Sequence, residues 1–158
     1  MTHHRALMAS DSNEWETPQP FFDGLDAEFG FTLDAAATAE NAKCERFYTE
    51  EDDALKQRWH GVVWCNPPYG RVIGHFVKKG WEEGDRGATV VMLIPARTDT
   101  RYWHDYVMRA AEVRLVRGRL HFRQSGRERG RATFPSAVVV FGKGQGRPVF
   151  SSMVASDA

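Results

Sequence analysis

Asn66-Pro67-Pro68-Tyr69 brings together an amide, a backbone carbonyl without a competing N–H, and an aromatic ring. An amide oxygen and a carbonyl side by side can accept both hydrogens of an exocyclic –NH2 group, and a ring can stack on the heterocycle that carries it. The amino nitrogen of adenine is a poor nucleophile because its lone pair is delocalised into the ring. Acceptors fixed on its two hydrogens favour the more tetrahedral nitrogen that attack requires, which is electrostatic preorganisation. Pro67 and Pro68 hold φ near −65° and keep that edge rigid. Tyr69 offers a π face to a base drawn out of a helix. As a bare tetrapeptide the motif would also serve as a tight turn.

The elements around the motif argue for more than a turn. Val62–Cys65 is a short β-rich run, so Asn66 stands at the C-terminal end of a strand, where open α/β sheets bind ligands. Phe31-Thr32-Leu33 is a second strand candidate, delivering Asp34 to its end. Thr89–Ile94 is a continuous apolar run ending in Pro95 and reads as a central strand buried on both faces. Helices are predicted from Thr17-Pro18 through Phe29, with Gly30 as the stop, and over Ile73–Glu83 and Arg101–Ala111. Residues 35–48 read as irregular and partly helical. Past residue 111 the strand candidates Glu112–Val116, Arg119–Phe122 and Ser136–Phe141 follow one another, with a Gly/Arg loop over Gln124–Thr133. The pattern predicts a compact single α/β domain over 14–143, with a largely parallel sheet and an antiparallel element at its C-terminal edge. A disordered tail over 1–13 and a flexible tail over 144–158 complete the expectation.

The 158 residues suit one core, and 42% are hydrophobic. No apolar stretch approaches the ~20 residues of a membrane span. The first residues lack a signal peptide's apolar segment. These features predict an intracellular, cytoplasmic protein without membrane attachment. Cys44 and Cys65 form no CxxC pair and the histidines do not cluster, so no metal site is expected. Net charge is zero, yet residues 1–60 hold thirteen acids and five bases, whereas residues 97–131 hold ten arginines and four acids. That asymmetry points to a polyanion partner for the basic part. Arg127, Arg129 and Arg131 in the Gly/Arg loop are candidates to enter a groove, with Arg97, Arg101, Arg117, Arg119 and Arg123 for phosphates.

Asn66-Pro67-Pro68-Tyr69 also looks like the catalytic motif of amino-group methyltransferases that use S-adenosylmethionine. An ordered set of segments narrows the resemblance to the phage-type, Dam-like DNA N6-adenine methyltransferases. The set runs through Glu14–Pro18, Phe31–Ala37, Glu40–Cys44, Phe47–Leu55, Val63–Gly70, Val91–Thr100, Gly118–Phe122 and Phe134–Phe141. The resemblance implies a Rossmann-like methyltransferase fold, S-adenosylmethionine as methyl donor and double-stranded DNA as partner, in a protein of phage or prophage origin in a bacterial host. It makes Asn66, Pro67, Pro68 and Tyr69 the catalytic residues. It places Trp15, Thr17, Pro18, Asp34, Ala35, Ala36 and Asn41 around the donor. Asp34 would face the donor's methionine part, and Thr17-Pro18 would close over its carboxylate. Asp53 or Asp52 would accept a hydrogen bond from its adenine. The usual Gly-rich loop is absent after Asp34, and the acid that would grip the donor's ribose is not visible; Glu40 and Asn41 are the candidates. The same motif serves methylation of RNA bases and of a protein glutamine amide. The missing loop also leaves open a nucleic-acid-binding module without activity.

Overall fold

The structure, a computed structural model, describes residues 15–124 and 127–155, with the backbone alone at 128 and 129. The expectation of a disordered tail over 1–13 lies outside the described residues, as do Ser125 and Gly126.

Helix α1 (Gln19–Phe29) starts after Pro18 with Pro20 in its first turn, where the missing N–H has no intrahelical partner to lose. Gly30 ends it in the left-handed conformation (φ 70°), its N–H donating to the Asp26 carbonyl at 2.8 Å. The face that carries Phe21, Phe22 and Leu25 is buried. Strands β1 (Leu33–Asp34), β2 (Val62–Cys65) and β3 (Thr89–Pro95) follow, with helix α2 (Ile73–Asp85) between β2 and β3. Helix α3 (Arg101–Asp105) leads into a single 3-10 turn, Val107–Arg109, and then β4 (Glu112–Arg117). Strands β5 (His121–Gln124) and β6 (Arg127–Arg131) pair as a hairpin, and β7 (Ser136–Phe141) and β8 (Val149–Val154) close the order.

Six strands form one sheet in the order β1-β2-β3-β7-β4-β8. β1, β2 and β3 pair in parallel, β7 runs antiparallel to both β3 and β4, and β8 is parallel to β4. This is the largely parallel α/β sheet of a Rossmann-like methyltransferase. The two most apolar runs, β3 and β7, lie side by side at its centre and are buried on both faces. α2 covers one face at close range. A Cβ at Gly80 would come within 2.7 Å of Met92 Sδ, and one at Gly84 within 2.8 Å of Phe141 Cβ, so only glycine allows this approach. α1 covers the other face, with Phe22 edge-on to Trp64 (centroids 5.4 Å) and Glu28 bound by both Arg114 nitrogens at 2.7 and 2.6 Å.

Several expectations are corrected. The flexible tail expected over 144–158 is not what the described part of it shows, because Val149–Val154 adds a sixth strand to the sheet. β8 is held by its backbone ladder rather than by burial; Val149, Phe150 and Val154 are exposed, so no alternation marks it in the sequence. In consequence the antiparallel strand, although late as predicted, stands inside the sheet, and β8 forms the border. The helix over 101–111 stops at Asp105 because Tyr106 leaves helical geometry (φ −126°) and the chain turns Val107 and Ala110 into the core. Residues 35–48 contain no helix. The Gly/Arg loop is the β5–β6 hairpin, with a register shift at Phe122/Arg123.

Parallel β1, β2 and β3 deliver Asp34, Asn66 and Ala96 to one edge of the sheet. The hairpin enters at that edge, where Ala96 N–H bonds the Pro135 carbonyl at 2.8 Å. The chain at Glu16 meets the hairpin in one antiparallel bridge, exchanging backbone hydrogen bonds with Arg123 at 2.8 and 3.0 Å.

Candidate active site

A cavity of about 720 Å³ opens at this edge, within the range of small-molecule sites. Asn66, Pro67 and Pro68 line it, together with Asp34–Asn41, Thr49–Glu51 and residues of the N-terminal chain and of the turn at Asp53. Among the described residues, Glu16, Asp34, Glu40, Glu50, Glu51 and Asp53 face it, against a single cation, Lys43. Such a lining suits a cationic guest.

Asn66 is held by the chain that enters from the N-terminal side. Its Nδ2 donates to Thr17 Oγ1 at 3.0 Å and to the Trp15 carbonyl. Turning the amide over would set Oδ1 against that carbonyl, two acceptors facing each other, so the orientation is fixed by chemistry. Asn66 Oδ1 is then buried with no hydrogen-bond partner. A buried orphan acceptor costs about 1–3 kcal/mol, and it is the atom an incoming amino group would satisfy.

Asp34 is 3% exposed. Its oxygens accept the Ala36 N–H at 3.2 Å and the Lys43 N–H at 3.0 Å. Burial pushes its carboxyl up to about 6, against the pull of those two N–H groups and the Lys43 charge. A buried carboxylate with only two neutral donors is poised for a cation. Ala35 is fully buried and Ala36 half-buried; the Ala35 N–H is tied to the Trp64 carbonyl at 2.9 Å. Thr38 and Asn41 cap each other, Asn41 Oδ1 accepting the Thr38 N–H at 2.7 Å. Asn41 thus shapes the cavity wall with its acceptor oxygen already engaged.

The structure separates Asp52 from Asp53. Asp52 Oδ2 accepts from Thr49 N–H (2.8 Å) and Oγ1 (3.1 Å), and Asp52 is not among the cavity's lining residues. Asp53 lines it. Asp53 is also the non-glycine residue with positive φ among those described (55°), a conformation kept where the surroundings impose it. The Trp59 indole fixes this corner by donating to the Ala54 carbonyl at 2.9 Å.

Tyr69 is 7% exposed and does not line the cavity. Its ring lies in a box with Trp15 (centroids 6.4 Å, interplanar 25°), Phe134 (5.5 Å) and Phe122 (6.4 Å). Its hydroxyl is buried without a partner, and burial pushes its pKa up, so the phenol stays neutral. Trp15 covers the near-parallel face of Tyr69; a base stacked on that face would replace the indole. Trp15 and Thr17 line the cavity, and they also meet Asn66, a link that sequence reasoning missed. Pro18 caps α1 just outside the cavity. No sequence signal marks the link, because Thr17 and Asn66 are 49 residues apart. Lys43 and the phenylalanines of the box carry no sequence signal of their place in the site either.

Arg97, Arg101, Arg117, Arg119, Arg123, Arg127 and Arg131 are exposed. The Arg129 side chain lies outside the described residues. Arg97 stands over the Phe134 ring at 6.0 Å, at the rim of the box. Arg114 is spoken for, bound to Glu28 and Glu112. Among the described residues no group of His, Cys, Asp or Glu is placed to hold a metal ion, and no helix is long and apolar enough to cross a membrane.

Comparison with known proteins decides the family. The model of the DNA N-6-adenine-methyltransferase (Dam) family matches residues 5–158. The chain belongs to this family. A DNA N-6-adenine-methyltransferase of Escherichia phage T1 is 41% identical over 103 residues, 63% of this chain and 42% of the phage protein. One from Haemophilus phage HP1 is 30% identical over 139 residues, 84% of this chain and 80% of the relative. The putative methyltransferase YfdM of Escherichia coli K12 is 40% identical over 65 residues, 36% of this chain and 71% of that protein. The chain thus spans less than half of the phage T1 protein and four fifths of the HP1 protein. Membership of a methyltransferase family implies a methyl donor, and the acidic cavity beside Asn66 suits one that carries positive charge.

Proposed function

We propose that the protein transfers a methyl group from S-adenosylmethionine to the N6 amino group of adenine in double-stranded DNA. The observation that carries this reading is Asn66 Oδ1, a buried acceptor without a partner at the edge of an acidic cavity. When bound, S-adenosylmethionine supplies an electrophilic methyl group on a sulfonium.

Asp34 supports the donor's positive charges, and ionises fully when a cation lies against it. Asp53 offers a carboxylate to the amino group of the donor's adenine, and the Asn41 turn closes the wall beside it. Asn66 Oδ1 and the Pro67 carbonyl accept the two hydrogens of the target amino group. Those acceptors stabilise the positive charge that grows on nitrogen during attack, an effect confined to the transition state. The methylated nitrogen is then acidic and loses its proton without a dedicated base. The target base, drawn out of the duplex, takes the place of Trp15 against Tyr69, and unstacking costs a few kcal/mol. Arg127, Arg129 and Arg131 on the hairpin are assigned to the groove, and Arg97, Arg101 and Arg119 to phosphates.

Incubating the protein with radiolabelled donor and unmethylated duplex DNA, RNA or a glutamine-bearing protein tests the reading. Label is expected in DNA, recovered as N6-methyladenine after digestion. Label confined to RNA or protein, or none at all, would overturn it.

A further inference from the structure

Trp15, Glu16 and Thr17 form a strap that touches both ends of the machinery. Two of its groups, the Trp15 carbonyl and Thr17 Oγ1, accept the two hydrogens of Asn66 Nδ2. Between them, Glu16 is tied to β5 by the backbone pair with Arg123. Thr17 is 3% exposed, so its hydroxyl acts in a dry setting where a hydrogen bond is stronger than in water. An amide with both N–H groups engaged cannot rotate without losing two bonds, and its oxygen is held facing the opposite way.

We propose that Thr17 is a positioning residue, which together with the Trp15 carbonyl fixes the Asn66 amide so that Oδ1 faces the target amino group. This goes beyond a donor contact for Thr17: its hydroxyl oxygen acts on the catalytic amide, 49 residues away in the chain. The inference rests on Asn66 being the acceptor for the target amine, as in the proposed function.

Thr17→Val removes the acceptor and nearly keeps the shape; Thr17→Ser restores the acceptor. The first readout is the Asn66 side-chain amide in the nitrogen-labelled protein, assigned by its loss in N66A. In T17V one of its two proton resonances is expected to move upfield and exchange faster, with the wild-type pattern recovered in T17S. The second readout is single-turnover methyl transfer to unmethylated genomic DNA. T17V is expected to slow it at saturating donor roughly fivefold to tenfold, the worth of one hydrogen bond, with T17S recovering most of the rate. An Asn66 resonance indifferent to T17V would overturn the proposal. So would a T17S enzyme no faster than T17V. Should the wild type transfer no methyl to DNA, the proposed function fails, and the amide resonance still decides the role of Thr17.

Discussion

Donor affinity should rise steeply with pH between 5 and 7.5, and Asp34 should be the cause. Burial raises this carboxyl from 3.8 to about 6, a change equivalent to about 3 kcal/mol between the two protonation states. The folded value exceeds the unfolded one, so the group's stabilising contribution is complete below pH 3.8 and is lost as pH rises through about 6. By pH 7.5 the donor-free protein therefore carries a destabilising buried anion. A guest with sulfonium and ammonium charges relieves it, and at pH 5 that guest must first displace a proton. With a carboxyl near 6, about one molecule in ten is ionised at pH 5 and nearly all at 7.5, so affinity should climb about tenfold. Lys43 gives Asp34 its backbone N–H, while its Nζ donates to Gln19 Oε1 at 2.8 Å. The nearby Cys44 and Cys65 thiols are pushed up by burial first and by Asp34 second, Cys44 to about 11, so neither titrates there. Calorimetry of S-adenosylmethionine in buffers of different ionisation enthalpy should detect proton release at pH 5 that vanishes by 7.5. Asp34→Asn should bind weakly with a flat profile. Affinity independent of pH in the wild type, or the same slope in D34N, would refute the assignment.

Three further outcomes follow from the geometry. Asn66→Ala should lower single-turnover methyl transfer by about 10²–10³, the usual loss when a transition-state hydrogen-bonding group is removed, while calorimetric donor affinity holds. Replacing Arg127 and Arg131 with Ala should weaken duplex binding and flatten the plot of log affinity against log salt by about 0.9 for each phosphate that is no longer neutralised, as read by fluorescence anisotropy across salt concentrations. Glu83→Gln should cost about 3 kcal/mol in denaturant unfolding. Glu83 is fully buried and accepts from Lys79 Nζ (2.9 Å), Arg86 Nη1 (2.8 Å) and the Trp59 N–H (3.2 Å). Burial alone would raise its carboxyl, but those donors outweigh it and hold the group below the ordinary range. The stability Glu83 provides is therefore present above about 4.5, its unfolded value, and lost as pH falls through the folded one.

The parts of this site that were legible in the sequence are those where chemistry and local pattern coincide in a few adjacent residues. Val62–Cys65 is apolar and β-branched, the prolines stop it, and Asn66 follows; strand end and acceptor are read together. Asp34 is legible for the same reason, at the end of β1. Thr89–Ile94 and Ser136–Phe141 announced the sheet's centre because burial on both faces demands unbroken apolar runs. What stayed hidden depends on pairing across long separations. The contacts of Thr17 and the Trp15 carbonyl with Asn66 leave no trace in composition or periodicity. β8 carries exposed Val149 and Phe150 and polar Ser151 and Ser152, so only the backbone ladder with β4 makes it a strand. Asp52 and Asp53 are indistinguishable by type, and the turn at φ 55° alone sends one carboxylate to the cavity and the other to Thr49.

The central claim is that Asn66 Oδ1 awaits an adenine amino group. It is tested most directly by mass spectrometry of nucleosides from the DNA of cells that lack other adenine methylation and express either the wild-type protein or N66A. The account predicts N6-methyladenine with the wild type and none above background with N66A. Its absence from the wild-type DNA, or equal amounts with both proteins, would contradict it.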